Sequence, residues 1–118
     1  MKKNLLALIV STFLMFSMAC NKDNNTPIDP NIFTPMASFT YSETIGVNSV
    51  TITFTNTTQN AHTYSWDFGD YNTSTEKNPT HTYPKPASKP KLYNVALTAY
   101  DTVNKTKNTR SKAIEIKP

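Results

Sequence analysis

From Ala37 onward the chain alternates apolar and polar residues with a period of two. Ala37, Phe39 and Tyr41 alternate with Ser38, Thr40 and Ser42. Val50, Ile52 and Phe54 alternate with Thr51, Thr53 and Thr55, and Tyr64, Trp66 and Phe68 with Ser65 and Asp67. Tyr93, Val95, Leu97 and Ala99 make a fourth such stretch, and Ile114 with Ile116 a fifth. This spacing is that of strands with one buried face. No window carries a sustained 3.6-residue period with caps, so essentially no helix is predicted. Gly69-Asp70 ends the third strand in a turn. Asn78-Pro79 opens a new extended segment, because Pro79 drives Asn78 out of the helical region. Short strands separated by turn residues predict one all-β domain, a sandwich or barrel, over residues 36–118. Trp66 should carry much of its packing, since a buried aromatic removes roughly 150–250 Å² from water.

The first twenty residues follow another pattern. Lys2 and Lys3 precede an apolar run from Leu5 to Met18, and small residues stand before Cys20. A charged start, a short apolar core and a small-residue exit describe a secretory signal peptide over residues 1–19. The run is shorter than the roughly 20 residues that span a bilayer, which makes a transmembrane anchor the weaker alternative. Cys20 is the only cysteine, so no internal disulfide can form. A lone thiol is unusual in an oxidising compartment unless its sulfur is already used. Ser17-Met18-Ala19-Cys20 resembles the lipobox of bacterial lipoproteins, with Ser17 in place of the more usual leucine. That resemblance implies an acylated Cys20 and a lipid anchor in the membrane. The other reading is an ordinary signal peptide that leaves Cys20 free. By the same resemblance, Asn21 favours the outer membrane, and Lys22-Asp23 is similar to a short export tag of surface lipoproteins.

Residues 20–35 read as the anchor and a flexible tether. Pro27, Pro30 and Pro35 are spaced by Asn, Asp and Thr, too polar to bury. A segment of this length spans roughly 20–25 Å and keeps the domain close to the lipid surface. Ile32 and Phe33 are the apolar exceptions, either loose or docked on the domain edge. The whole chain carries 12 basic and 8 acidic residues. Without Lys2 and Lys3 the excess is too mild for a nucleic-acid partner. The late basic residues, Lys105, Lys107, Arg110 and Lys112 among them, fit a solvated face with edge lysines that block strand-to-strand aggregation.

Trp66-Asp67-Phe68-Gly69-Asp70, then Asn78-Pro79, His81, Tyr83 and Tyr93-Asn94-Val95-Ala96-Leu97, resemble the signature of PKD domains, immunoglobulin-like β-sandwiches. The resemblance implies that Trp66 and Phe68 lie on the third strand and that Asp70 organises the turn after it. It implies that His81 and Tyr83 cross toward the next long strand, and that His81 is a structural hydrogen-bonding residue. This chain departs from the family where Tyr71, Lys91 and Asn104 stand in place of glycines, and where Pro84 to Pro90 is long and carries three prolines. Asn104 tolerates the left-handed conformation.

Candidate chemistry is thin. Asp67 and Asp70 are three apart, but carboxylates at a turn more often bond backbone amides, and no activated nucleophile accompanies them. His62 and His81 form no zinc-spaced cluster, and the loop before Tyr64 lacks the carboxylates that calcium wants. No metal site, catalytic residue or cofactor is expected. Tyr71 in a turn and Tyr100, out of phase with Val95 and Leu97, are the candidate binding residues. Three functions follow: a non-enzymatic envelope lipoprotein binding protein or polysaccharide, a spacer with no ligand of its own, or a hydrolase. The last lacks a constellation to support it.

Overall fold

The structure is a computed structural model that describes residues 33–118. Cys20 and the tether up to residue 32 lie outside the described residues. Seven strands follow in order: β1 (Phe39–Ile45), β2 (Ser49–Asn56), β3 (Thr63–Asp67), β4 (Thr73–Ser74), β5 (Thr80–Pro84), β6 (Lys91–Asp101) and β7 (Thr106–Ile116). There is no helix among the described residues. Two antiparallel sheets form, one ordered β1-β2-β5 and the other β4-β3-β6-β7.

The two inner faces make the core. Phe39, Ile52, Phe54 and Tyr83 from one sheet meet Trp66, Val95, Leu97, Ile114 and Ile116 from the other. Trp66 is fully buried, edge-on to Phe39 at 5.1 Å between ring centroids and tilted against Phe54 at 5.2 Å. Its indole N–H donates to the Glu76 carbonyl at 2.9 Å, so the one polar atom of the ring is satisfied. The outer faces are rich in hydroxyls. Thr51 and Thr82 bond across β2 and β5 at 2.9 Å, and Thr98 and Thr109 across β6 and β7 at 2.9 Å.

The elements without a clear alternating pattern lie at the edges. β4 has only two residues, too few to show a period. β5 is the extended segment expected after Pro79, here a strand paired with β2. Pro79 is fully buried, and its carbonyl accepts from Phe54 N at 2.9 Å. β7 begins at Thr106, ahead of its apolar end. Asn108, Arg110 and Lys112 share the face of Ile114 and Ile116, and these polar side chains hide the strand from a period-two reading.

The chain enters the sandwich through Pro35, which composition places in the tether. Pro35 is fully buried, and Met36 pairs with Gln59 in an isolated antiparallel bridge. Phe33 remains mostly exposed.

Candidate functional site

The Trp-Asp-Phe-Gly-Asp stretch closes one side of the sandwich. After Asp67 the chain leaves β3, and Gly69 turns it with φ of 76°. A Cβ there would lie 2.8 Å from the Asn94 carbonyl oxygen and 2.9 Å from its nitrogen, both backbone atoms that cannot move aside. Glycine is therefore required for conformation and for space. Asp67 Oδ1 accepts from Gly69 N at 2.8 Å, and Asp70 Oδ1 from Asn72 N at 3.2 Å. The two carboxylates serve two separate turns and do not converge on one proton.

The second oxygen of Asp70 reaches the other sheet. His81 Nε2, on β5, lies 2.7 Å from Asp70 Oδ2. The imidazole stacks on the Phe68 ring, with centroids 4.3 Å apart and planes 3° from parallel. Tyr83, also on β5, is fully buried and donates its hydroxyl to the Phe68 carbonyl at 2.8 Å. Phe68 is thus held by its ring and its carbonyl at once, and the two sheets are pinned together along this side. Burial pushes the Asp70 carboxyl up, but the hydrogen bonds from His81 and Asn72 and the His81 charge outweigh it and hold the group below the usual carboxylate value. Burial, with the nearby Asp70 charge, pushes the Tyr83 hydroxyl well above the ordinary tyrosine value. All these groups are spent on structure.

The same holds for a cluster that sequence reasoning missed. Asp101, at the end of β6, is buried. It accepts from Val103 N at 2.9 Å and from Asn104 Nδ2 at 2.6 Å, and His62 Nδ1 lies 3.2 Å away. The Asn104 side-chain hydrogen bond lowers the Asp101 pKa, burial opposes it, and bonds from the Asn104 and Val103 amides and the His62 charge lower it further. Asp-x-x-Asn before a hairpin was the available signal for the turn; nothing in the sequence brings distant His62 to it. Asn104 acts through this side chain and not through the left-handed conformation expected of it, which Lys105 adopts with φ of 55°. Lys91, another glycine replacement, is not among the positive-φ residues; its ammonium sits 4.8 Å over the Tyr93 ring. Among the described residues no three His, Cys, Asp or Glu gather as a metal would need.

Tyr71 and Tyr100 lie far apart. Tyr71 follows Asp70 in the turn beyond the end of β3, is fully exposed, and has φ of 71°. Tyr100 pairs with Thr63 at the start of β3, at the opposite end of the same sheet. Tyr100 is half-buried there, where its phase suggested open exposure, and it borders one hollow with Thr63, Lys105 and Lys107 and another with Ser65 and Lys77.

Comparison with known proteins agrees with this architecture. No curated protein sequence matches the chain. The chain is similar to the crystal structure of the PKD1 domain from the Vibrio cholerae metalloprotease PrtV, at 31% identity and a TM-score of 0.56, covering 73% of this chain and 100% of that one. The PKD1 domain of Vibrio anguillarum Epp is similar in fold, at 24% identity and a TM-score of 0.53, covering 72% of this chain and 95% of that one. The PKD domain family profile matches residues 33–116. That match spans most of the chain, and the protein belongs to the PKD domain family.

Proposed function

We propose that this protein is a non-enzymatic cell-envelope lipoprotein, anchored through Cys20 in the outer membrane or at the cell surface, whose PKD domain binds a protein or polysaccharide of the envelope. Tyr71 carries the binding part of this reading. A bulky side chain in the left-handed region costs about 1–2 kcal/mol. Here the residue stands at a position where PKD domains usually use glycine, and its ring packs on nothing. Strain kept at an exposed aromatic is a reason to look for a contact made by that ring. Tyr100, with Lys77, Lys105 and Lys107 around it, offers a second surface suited to an acidic polysaccharide, whose attraction should weaken with salt. Both histidines, with Asp70 and Asp101, are occupied in the two structural clusters.

The spacer reading draws support from the separation of the two tyrosines, which do not form one patch. Two measurements decide. Cys20→Ala should move the protein out of the membrane fraction or block its processing; a mutant still processed and pelleted with membranes removes the lipid anchor. A glycan array and an envelope pull-down with the parent protein should give a partner whose binding falls in Tyr71→Ala or Tyr100→Ala. Folded variants that bind like the parent move the assignment to a spacer.

A further inference from the structure

Four sheet edges are exposed to pairing, and three are guarded. β7 carries Asn108, Arg110 and Lys112 on its core-side positions, β4 has two residues, and β5 ends in Pro84 with His81 drawn inward to Asp70. Short edges, prolines and inward charges are the usual protections against strand addition. β1 has only one of them, the core-side charge of Glu43. Phe-Thr-Tyr-Ser-Glu-Thr-Ile contains no proline, no lysine or arginine, and one charge, Glu43.

The backbone parity of β1 is fixed at both ends. Met36 exchanges hydrogen bonds with Gln59, Ser38 O accepts from Thr57 N, and Gly46 N donates to Ser49 O. The antiparallel register between them is unbroken, so even-numbered residues bond β2 and odd-numbered residues point their N–H and C=O outward. Two outward groups are already used. Ala37 N donates to Asn108 Oδ1 at 3.0 Å, and Lys112 Nζ donates to the Phe39 carbonyl. Beyond Phe39 this covering stops. No hydrogen bond among the described residues takes the outward groups of Tyr41, Glu43 and Ile45.

The side chains of the same three residues line a groove of about 440 Å³ where β1 and β7 part, with Val50 beside Ile45 on β2 and Glu115 and Ile116 across it on β7. Lys85 and Lys117 also border it. The ion pairs among the described residues are the two His–Asp pairs, so Glu43 and Glu115 are unpaired there. A second copy of this chain is a poor occupant. The antiparallel register that overlaps the free residues best sets Tyr41 against Ile45 and Glu43 against its own symmetry mate, and like charges directly opposite repel.

We propose that the β1 edge accepts an extended strand of another protein, with a lysine or arginine opposite Glu43 and apolar residues two positions to either side. Main-chain bonds to Tyr41, Glu43 and Ile45 would supply affinity, and the groove specificity. This deepens the protein-binding branch of the proposed function and rests on it.

The probe is the blocked peptide Ser-Val-Thr-Lys-Thr-Val-Ser, titrated into the full chain in mild detergent and followed by anisotropy and by the amide resonances of Tyr41, Glu43 and Ile45. Saturable binding with shifts at those amides is expected. Exchanging the peptide lysine for glutamate should weaken it about three- to tenfold, and Glu43→Lys should reverse the preference. Glu43→Pro removes the outward N–H together with the carboxylate, leaves the bonds to β2 in place, and should abolish binding, where Glu43→Lys only reverses the charge preference. Ile45→Lys, a guard lysine like those on β7, should do the same without touching the backbone. Absence of saturable binding, binding indifferent to Glu43→Pro and Ile45→Lys, or a dimer lost in these variants would each overturn the proposal. Should the parent protein still capture an envelope partner while no peptide binds, the edge assignment fails and the binding reading stands.

Discussion

The two long sides of this sandwich are closed by different means. On the β3–β5 side, Asp70, Phe68, His81 and Tyr83 form a connected set of hydrogen bonds and stacked rings, all at least partly buried. On the β1–β7 side, the sheets are tied at one end only, by Asn108 to Ala37 and Lys112 to Phe39, and then separate into a groove. The residues by which a PKD domain is recognised are those of the closed side. They report how the fold is sealed, so they say little about a ligand. Whatever is particular to this chain has to be sought where the sandwich is open or its surface strained.

The largest effect sets the scale for both sides. Trp66 packs against Phe39 of β1 and Phe54 of β2, and its N–H bonds Glu76. Trp66→Ala should cost about 3–5 kcal/mol, a large share of the stability of a domain this small. An unchanged melting temperature would remove Trp66 from the core. Next comes Gly69→Ala, which must place a side chain in the left-handed region against the Asn94 backbone. At least about 2 kcal/mol is expected from denaturant unfolding.

A matched pair then separates the two sides. Tyr83→Phe leaves the Phe68 carbonyl buried without its donor and should cost about 1–3 kcal/mol. Lys112→Met removes the corresponding tie on the open side, keeps most of the stem, and should cost less than about 1 kcal/mol. Equal losses would show that the open side is sealed as firmly as the closed one.

The closed side should also set part of the pH range of stability. Asp70 is held below its ordinary value, as is Asp101 at the β6–β7 hairpin. Their stabilisation is present above the unfolded carboxylate pKa of about 4 and is lost as pH falls through the lowered folded values. Tyr83 is raised, so its share is present below the unfolded tyrosine pKa of about 10 and is lost as pH rises beyond it. Calorimetry should show melting temperatures falling on both flanks, with the acid fall shallower in Asp70→Asn. An acid flank unmoved by Asp70→Asn would place acid sensitivity elsewhere.

How much of this the sequence disclosed followed from where periodicity survives. Strands with one face in the core, such as Val50-Ile52-Phe54 and Tyr93-Val95-Leu97, announce themselves because burial selects every second residue. Edge elements do not. β4 is too short, and the first half of β7 puts Asn108, Arg110 and Lys112 where a core strand would be apolar. The motif residues were legible through a family likeness, and their contacts were not, since Asp70 meets His81 only after the chain has turned through β4. The His62–Asp101 pair had no local signal at all. Tyr71 was legible as an odd residue in a turn, and its strain only once φ was known.

The smallest stability effect is the one most informative about function. Tyr71→Gly relieves a left-handed side chain, worth about 1–2 kcal/mol, and gives back about 0.5–1 kcal/mol in unfolded-state freedom. The net should lie between no change and a gain of about 1.5 kcal/mol, seen as an equal or slightly higher melting temperature. Tyr71→Ala, which keeps a Cβ in the same conformation and loses only an exposed ring, should leave stability within about 0.5 kcal/mol of the parent. If Tyr71 is kept for contact, both variants stay folded and both lose affinity for whatever envelope partner the parent captures. A variant more stable than the parent that binds equally well would mean the strain serves no ligand there, and would leave the β1 edge and the lysine-flanked Tyr100 hollow as the surfaces still to be tested.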